Sequence, residues 1–152
     1  MTRHTRVVRV DDTLGFLLGE WSLERHLHDR LSGERAVFTG TASVTRLRGP
    51  EGSASYEERG RLRCGAHDGE ATRVLELARR GAAVLARFAD GRPFVEIDLR
   101  TGRAACVHLC GGDRYELSFA VLAPDELEER WRVEGPETAY VARTVLRRRP
   151  PA

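Results

Sequence analysis

A period-two pattern begins at Trp21-Ser22-Leu23-Glu24-Arg25-His26-Leu27-His28. In this stretch Trp21, Leu23 and Leu27 alternate with polar residues, and Arg25 falls on the apolar side. Such alternation is typical of a β-strand with one buried face, because successive side chains of a strand point to opposite faces. The stretch therefore predicts a strand that carries one arginine into the protein interior.

The same alternation recurs along the rest of the chain, in pieces too short for helices. Turn residues separate these pieces: Asp90-Gly91 and Thr101-Gly102 are hairpin signals, and a loop is predicted around Gly65 and Gly69. Asp11–Leu18 instead offers capping residues and an apolar cluster, which predicts one short helical plug. Further strands are predicted at 39–45, 54–62, 72–79, 83–88, 104–110, 113–121 and 140–147, and around Trp131 and Val133.

About ten short strands joined by tight turns predict an all-β fold, either a sandwich or a barrel. Successive hairpins favour a single antiparallel up-and-down β-barrel with a short N-terminal helical plug, because closure removes exposed strand edges. The barrel is expected to be one domain over residues 1–152, with its core at about 14–148. A barrel of this strand number has an interior wide enough for a small ligand.

Composition limits the classes of function. The chain has 152 residues, 32% of them charged, and a formal net charge of +2 from interspersed signs, with Arg147-Arg148-Arg149 as the basic run. We therefore expect no nucleic-acid partner. No apolar run approaches the ~18 residues that a membrane span requires, and no signal peptide is visible, so we predict a cytoplasmic protein without a membrane partner. Cys106 and Cys110 on one strand would lie about 13 Å apart, too far for a disulfide, which agrees with a reducing compartment.

One short motif resembles a known superfamily. Gly19-Glu20-Trp21 follows the predicted helix and opens the first strand, and it resembles the Gly-x-Trp signature of the calycin (lipocalin-like) barrels. The resemblance implies that Trp21 closes one end of the barrel. It also implies that a basic residue of the last strand, Arg143 or Arg147, lies across the indole ring.

Nearly the whole chain also resembles an uncharacterised bacterial and fungal domain family of this barrel shape, the domain of unknown function numbered 6314. Val95 stands where that family often has histidine, and Thr138-Ala139 stands where it has a Lys-Asp pair, so roles resting on those groups are not carried over. The matching stretches are 21–25, 56–60, 88–94, 108–115 and 131–136.

Several polar side chains fall on the apolar sides of the strands and are predicted to face inward. Buried charges need partners, so Arg25 is expected to pair with Glu58 or Asp113, and Tyr115 to donate to a carboxylate. The same set could instead orient a small ligand, with Arg25 as a bidentate donor to an anionic group. The candidate ligand-binding residues are Arg25, Tyr56, Glu58, His108, Cys110, Asp113 and Tyr115.

The alternatives to simple ligand binding all depend on His108. With Asp113 it could form an acid/base pair of an isomerase, cyclase or decarboxylase, or it could activate the Cys110 thiol. It could also be a haem ligand, whereas the strand spacing of Cys106, His108 and Cys110 disfavours a metal such as zinc. The leading hypothesis is a small-molecule-binding barrel without a cofactor; whether it is an enzyme, and its oligomeric state, stay open.

Overall fold

A computed structural model describes residues 6–150, which form ten antiparallel strands and one short helix. The predicted all-β fold and helical plug are therefore confirmed. The helix α1 spans Thr13–Leu17, and the strands are β1 Gly19–Asp29, β2 Arg35–Arg46, β3 Ser53–Cys64, β4 His67–Arg80, β5 Ala83–Phe88, β6 Pro93–Ile97, β7 Arg103–Cys110, β8 Asp113–Ala123, β9 Glu126–Glu134 and β10 Ala139–Arg148.

The strands curl into a nearly closed barrel. Consecutive strands pair from β1 to β6 and from β7 to β10, and β1 also pairs with β10. Across the described residues β6 and β7 form no ladder, so the closure is less complete than we expected. The rings of Phe88 and Phe94 lie 5.9 and 5.1 Å from the ring of His108, and these contacts fill the seam between the two strands.

Two glycines bring β2 and β3 unusually close. Gly40 and Gly60 lie directly opposite each other in the ladder. A Cβ at Gly40 would lie 2.0 Å from the carbonyl oxygen of Arg59, and one at Gly60 would lie 2.1 Å from that of Thr39. Only glycine fits such an approach of two backbones. The next pair on the same face of this ladder is Ala42 and Glu58.

One end of the barrel is closed by Trp21. Its indole N–H donates to the carbonyl oxygen of Leu17 in α1 at 2.9 Å, and its ring packs edge-on against Phe16 at 5.6 Å. Leu14 of the same helix is fully buried in the core. The short helix therefore acts as the predicted plug.

The basic residue across Trp21 is Arg148, so the expectation of Arg143 or Arg147 was wrong. Arg148 stands directly opposite Trp21 in the β1–β10 ladder, and its guanidinium carbon lies 4.2 Å from the ring centroid. Positions 143 and 147 have the opposite parity in β10 and face outward. A one-residue difference in register moves a side chain to the other face of a sheet.

We expect Arg148→Met to lower the free energy of unfolding by about 1–2 kcal/mol, because the guanidinium also donates to two carbonyl oxygens of the plug. The acceptors are those of Phe16 and Leu18, at 2.6 and 2.8 Å. Arg147→Met, whose side chain is 62% exposed, is the matched control and is expected to change stability by less than about 0.5 kcal/mol. Urea unfolding measures both, and equal losses would contradict the assignment.

The loop predicted around Gly65 and Gly69 is shorter in the structure than we expected. The β3–β4 ladder continues to the Cys64–His67 pair, so Gly69 and His67 belong to a strand. Residues 65–68 are exposed, and polar residues there obscure the alternation. Among the described residues, no helix is long and apolar enough to cross a membrane.

Candidate ligand-binding site in the barrel

A charged cluster crosses the middle of the barrel. Arg25 of β1 donates from Nη1 and Nη2 to the two carboxylate oxygens of Glu58 in β3, at 2.9 and 2.8 Å. Its Nε donates to the Thr144 hydroxyl of β10 at 2.8 Å. Of the two partners proposed for Arg25, the structure selects Glu58 rather than Asp113. This fork-to-fork geometry is the strongest form of an arginine–carboxylate pair.

Glu58 receives two further hydrogen bonds. The Tyr56 hydroxyl donates to Oε2 at 2.5 Å, and Nη2 of Arg73 in β4 donates to the same oxygen at 3.2 Å. Burial acts to raise the pKa of Glu58, but the hydrogen bonds from Arg25 and the charges of both arginines outweigh it and hold the pKa below its ordinary value. Burial raises the pKa of Tyr56 well above its ordinary value. Glu58 is thus ionised and Tyr56 is a neutral donor.

A second buried carboxyl, Glu129 of β9, completes the cluster with weaker contacts. Its Oε1 lies 3.9 Å from Nη2 of Arg25, beyond hydrogen-bonding distance. Burial raises the pKa of Glu129, and the Glu58 carboxylate raises it further, against the attraction of Arg73 and Arg25 and a hydrogen-bonding contribution from the Trp131 indole, which lower it. Of the two buried carboxyl groups, Glu129 therefore accepts a proton more readily than Glu58 does.

Three buried polar atoms around Glu129 make no hydrogen bond of normal geometry to the described protein atoms: Nε of Arg73, Oε1 of Glu129 and Nε1 of Trp131. The Trp131 indole nevertheless lies close enough to the Glu129 carboxyl to act on its pKa as a hydrogen-bond donor. Leaving such an atom unpaired costs about 1–3 kcal/mol, and buried polar atoms are rarely left so. All three residues line one internal cavity of about 50 Å³, whose walls are otherwise apolar apart from Tyr56. The three residues that carry unpaired polar atoms therefore surround the same internal cavity.

A larger pocket opens at the end of the barrel opposite Trp21. This vestibule has a volume of about 290 Å³ and is lined by Arg73, Val74, Leu75, Phe88, Phe94, His108, Cys110, Tyr115, Trp131 and Tyr140. Four of these residues, Arg73, Leu75, Phe94 and Trp131, also line the internal cavity and so form the boundary between the two spaces. The Arg73 guanidinium stacks over the Trp131 ring at 5.0 Å.

The seven candidate residues fall into two groups rather than one pocket. Arg25, Tyr56 and Glu58 belong to the charged cluster, whereas His108, Cys110 and Tyr115 line the vestibule. Asp113, opposite Cys110 in the β7–β8 ladder, lies at the rim. No hydrogen bond joins His108 to Asp113, or Tyr115 to a carboxylate, in the described part of the chain; Tyr115 instead meets the rings of His108 and Trp131, at 5.9 and 6.1 Å.

Sequence reasoning missed Arg73, Glu129 and Thr144. A usable signal was present, because Glu129 alternates with Leu127, Trp131 and Val133, all on the inward side of β9. Arg73 likewise alternates with Ala71 and Leu75 in β4. Exposed arginine and glutamate are abundant in this chain, and that abundance hides the few charges that stand on the apolar side.

A nearly closed antiparallel barrel with a helical plug, a Trp–Arg stack at one end and an internal cavity defines the lipocalin-like class. The chain belongs to a family of unknown function, DUF6314, whose model matches residues 17–148. Both resemblances seen in the sequence are therefore confirmed. No curated protein matches the chain significantly.

Solved structures agree on the fold. The chain is similar to the S-type phycobiliprotein lyase CPES from Guillardia theta, with a TM-score of 0.65, 12% identity and coverage of 95% of each chain. It is also similar to a protein of unknown function from the DUF3598 family of Nostoc punctiforme, with a TM-score of 0.59 and 12% identity. That match covers 90% of this chain and 49% of the other. At these identities the likeness concerns the barrel alone.

Proposed function

We propose that this protein binds a small, largely apolar molecule at the open end of the barrel. The molecule lies in the vestibule and presents its polar group to Arg73, Glu129 and Trp131. The observation that carries the proposal is the set of three unpaired buried polar atoms, which belong to three residues that line one cavity. A ligand group that bonded to them would recover the free energy that their burial costs.

The vestibule has the composition of a ligand pocket. Phenylalanine, tyrosine and tryptophan supply five of its ten lining residues, and its volume lies close to the lower limit of about 300 Å³ for small-molecule sites. The internal cavity is too small for such a molecule, so its polar group reaches the three atoms only if the Arg73 and Trp131 side chains part. The arginine that meets the ligand is Arg73, because Glu58 and Thr144 already hold Arg25.

Catalysis or haem ligation through His108 has less support. Three rings surround His108, those of Phe88, Phe94 and Tyr115, with centroid distances from 5.1 to 5.9 Å. An acid/base pair requires a hydrogen-bonded partner within reach, which Asp113 does not supply in the described structure. We therefore assign His108 to the wall of the vestibule.

Tryptophan fluorescence offers a direct test, because one of the two tryptophans lies at the proposed site and the other at the closed end. We expect the neutral dye N-phenyl-1-naphthylamine to bind with one-to-one stoichiometry and to quench the emission of Trp131. Trp131→Phe removes an indole from the wall, so it should abolish most of the quenching and weaken dye binding about tenfold, equivalent to about 1.4 kcal/mol.

Leu109→Ser is the matched control. Leu109 is 68% exposed on the outer face of β7, so its replacement should leave dye affinity unchanged. Dye binding that depends on Leu109 and ignores Trp131 would place the dye on the outer surface and overturn the proposal.

A further inference from the structure

We infer that the polar group of the ligand is uncharged when bound and both donates and accepts a hydrogen bond, as an amide does or as a carboxyl group does when it enters with a proton. This inference rests on the proposed function and specifies the chemical class of the ligand. Its basis is the charge balance of the buried cluster and the hydrogen-bonding type of its three unpaired atoms.

With Glu129 ionised in the free protein, the buried cluster is already balanced in charge. The guanidinium groups of Arg25 and Arg73 face the carboxyl groups of Glu58 and Glu129. The other ionisable groups packed against it are neutral, because burial raises the pKa values of Tyr56, Tyr140 and Cys106, the last to about 11. An additional anion would therefore be buried without a counter-charge, which is strongly unfavourable.

The three unpaired atoms call for two kinds of partner. Nε of Arg73 and Nε1 of Trp131 can only donate, whereas an ionised Glu129 oxygen can only accept. A ligand group must therefore bring at least one acceptor for the N–H groups and one donor for Glu129. An amide supplies both without adding charge.

A carboxylate supplies acceptors alone and would face Glu129 with like charge. Two carboxylates that share a site bind one proton between them, because like charges at short range disfavour double ionisation. Glu129 is the residue placed to share that proton, since the four hydrogen bonds to Glu58 keep that carboxyl ionised. A carboxylate ligand should therefore take up one proton on binding.

The test compares three probes of the same shape by isothermal titration calorimetry: 2-naphthamide, 2-naphthoate and 2-acetylnaphthalene. We expect 2-naphthamide to bind about tenfold more tightly than 2-acetylnaphthalene, which has no donor for Glu129. Binding of 2-naphthoate, measured in buffers of different ionisation enthalpy, should take up about one proton. Its affinity should fall as the pH rises, by up to about tenfold per unit, whereas that of 2-naphthamide stays constant.

Glu129→Gln makes the cluster more positive and removes the shared proton site. We expect it to bind 2-naphthoate more tightly than wild type does, without proton uptake and independently of pH. Glu128→Gln, on the outer side of β9 against Arg130 and Arg143, is the matched control and should behave as wild type.

The inference is overturned if wild type binds 2-naphthoate without proton uptake, or binds the amide and the ketone equally well. Either result would leave the proposed function standing, since the probes would still occupy the site. If none of the three probes binds, the proposed function itself is contradicted. The proton-uptake measurement uses wild type, so it does not depend on the folding of any variant.

Discussion

Glu58→Gln is expected to lower the free energy of unfolding by about 3–5 kcal/mol, because it leaves two buried guanidinium groups without their shared counter-ion. Glu58 is 1% exposed and receives hydrogen bonds from Arg25, Arg73 and Tyr56. The neighbouring Glu129 cannot replace it, since its nearest contact with Arg25 is 3.9 Å. Urea unfolding at pH 7 measures the loss.

Glu57→Gln is the matched control, because Glu57 precedes Glu58 in β3 but faces outward and pairs with the exposed Arg59. It should change stability by less than about 0.5 kcal/mol. The pKa of Glu58 is lowered in the folded protein, so its contribution is complete above the ordinary value of 4.5 and is lost as the pH falls below it. The gap between wild type and Glu58→Gln should shrink accordingly in acid; a gap below about 1 kcal/mol at pH 7 would show that the cluster does not stabilise the barrel.

Gly40→Ala and Gly60→Ala are each expected to destabilise the barrel by about 3 kcal/mol or more, because the added Cβ meets backbone rather than a side chain that can move. The clash distances are 2.0 and 2.1 Å, to the carbonyl oxygens of Arg59 and Thr39. Relief would require β2 and β3 to separate at the centre of their ladder. Thermal unfolding and the yield of folded protein measure the effect.

Gly69→Ala is the matched control for the substitutions of Gly40 and Gly60. Gly69 also lies within a strand, but its added Cβ would meet only the His67 side chain, at 3.4 Å. Alanine should be tolerated there within about 0.5 kcal/mol. Equal stability of all three variants would contradict the close approach of β2 and β3.

The strand pattern predicts the fold because the alternation of apolar and polar residues persists in nearly every strand of this chain. It also places Arg25 and Glu58 inside, since each stands among apolar neighbours of its own strand. Alternation within a strand carries no information on register between strands. That is why His108 and Asp113 were expected to meet. Arg148 was missed in favour of Arg143 and Arg147 because Val145 and Leu146 are adjacent apolar residues, so the alternation in β10 does not show which of the two parities faces inward.

The composition of the candidate site was harder to predict than the fold. His108 and Cys110 stand out in the sequence as reactive residue types, yet they form part of the vestibule wall. Arg73 and Glu129 belong to residue types that cover the outside of the barrel, and only their three-dimensional surroundings distinguish them. Unpaired hydrogen-bonding atoms are a property of packing, which the sequence pattern does not encode.

The most direct test of the account is a crystal structure of the protein with 2-naphthamide. We predict density for the naphthalene ring in the vestibule, between Phe88, Phe94 and Tyr115, with the amide bonded to Arg73, Glu129 and Trp131. Density for the probe only on the outer surface, with the three buried polar atoms bonded to ordered water, would contradict the claim that this barrel is built to bind a small molecule inside.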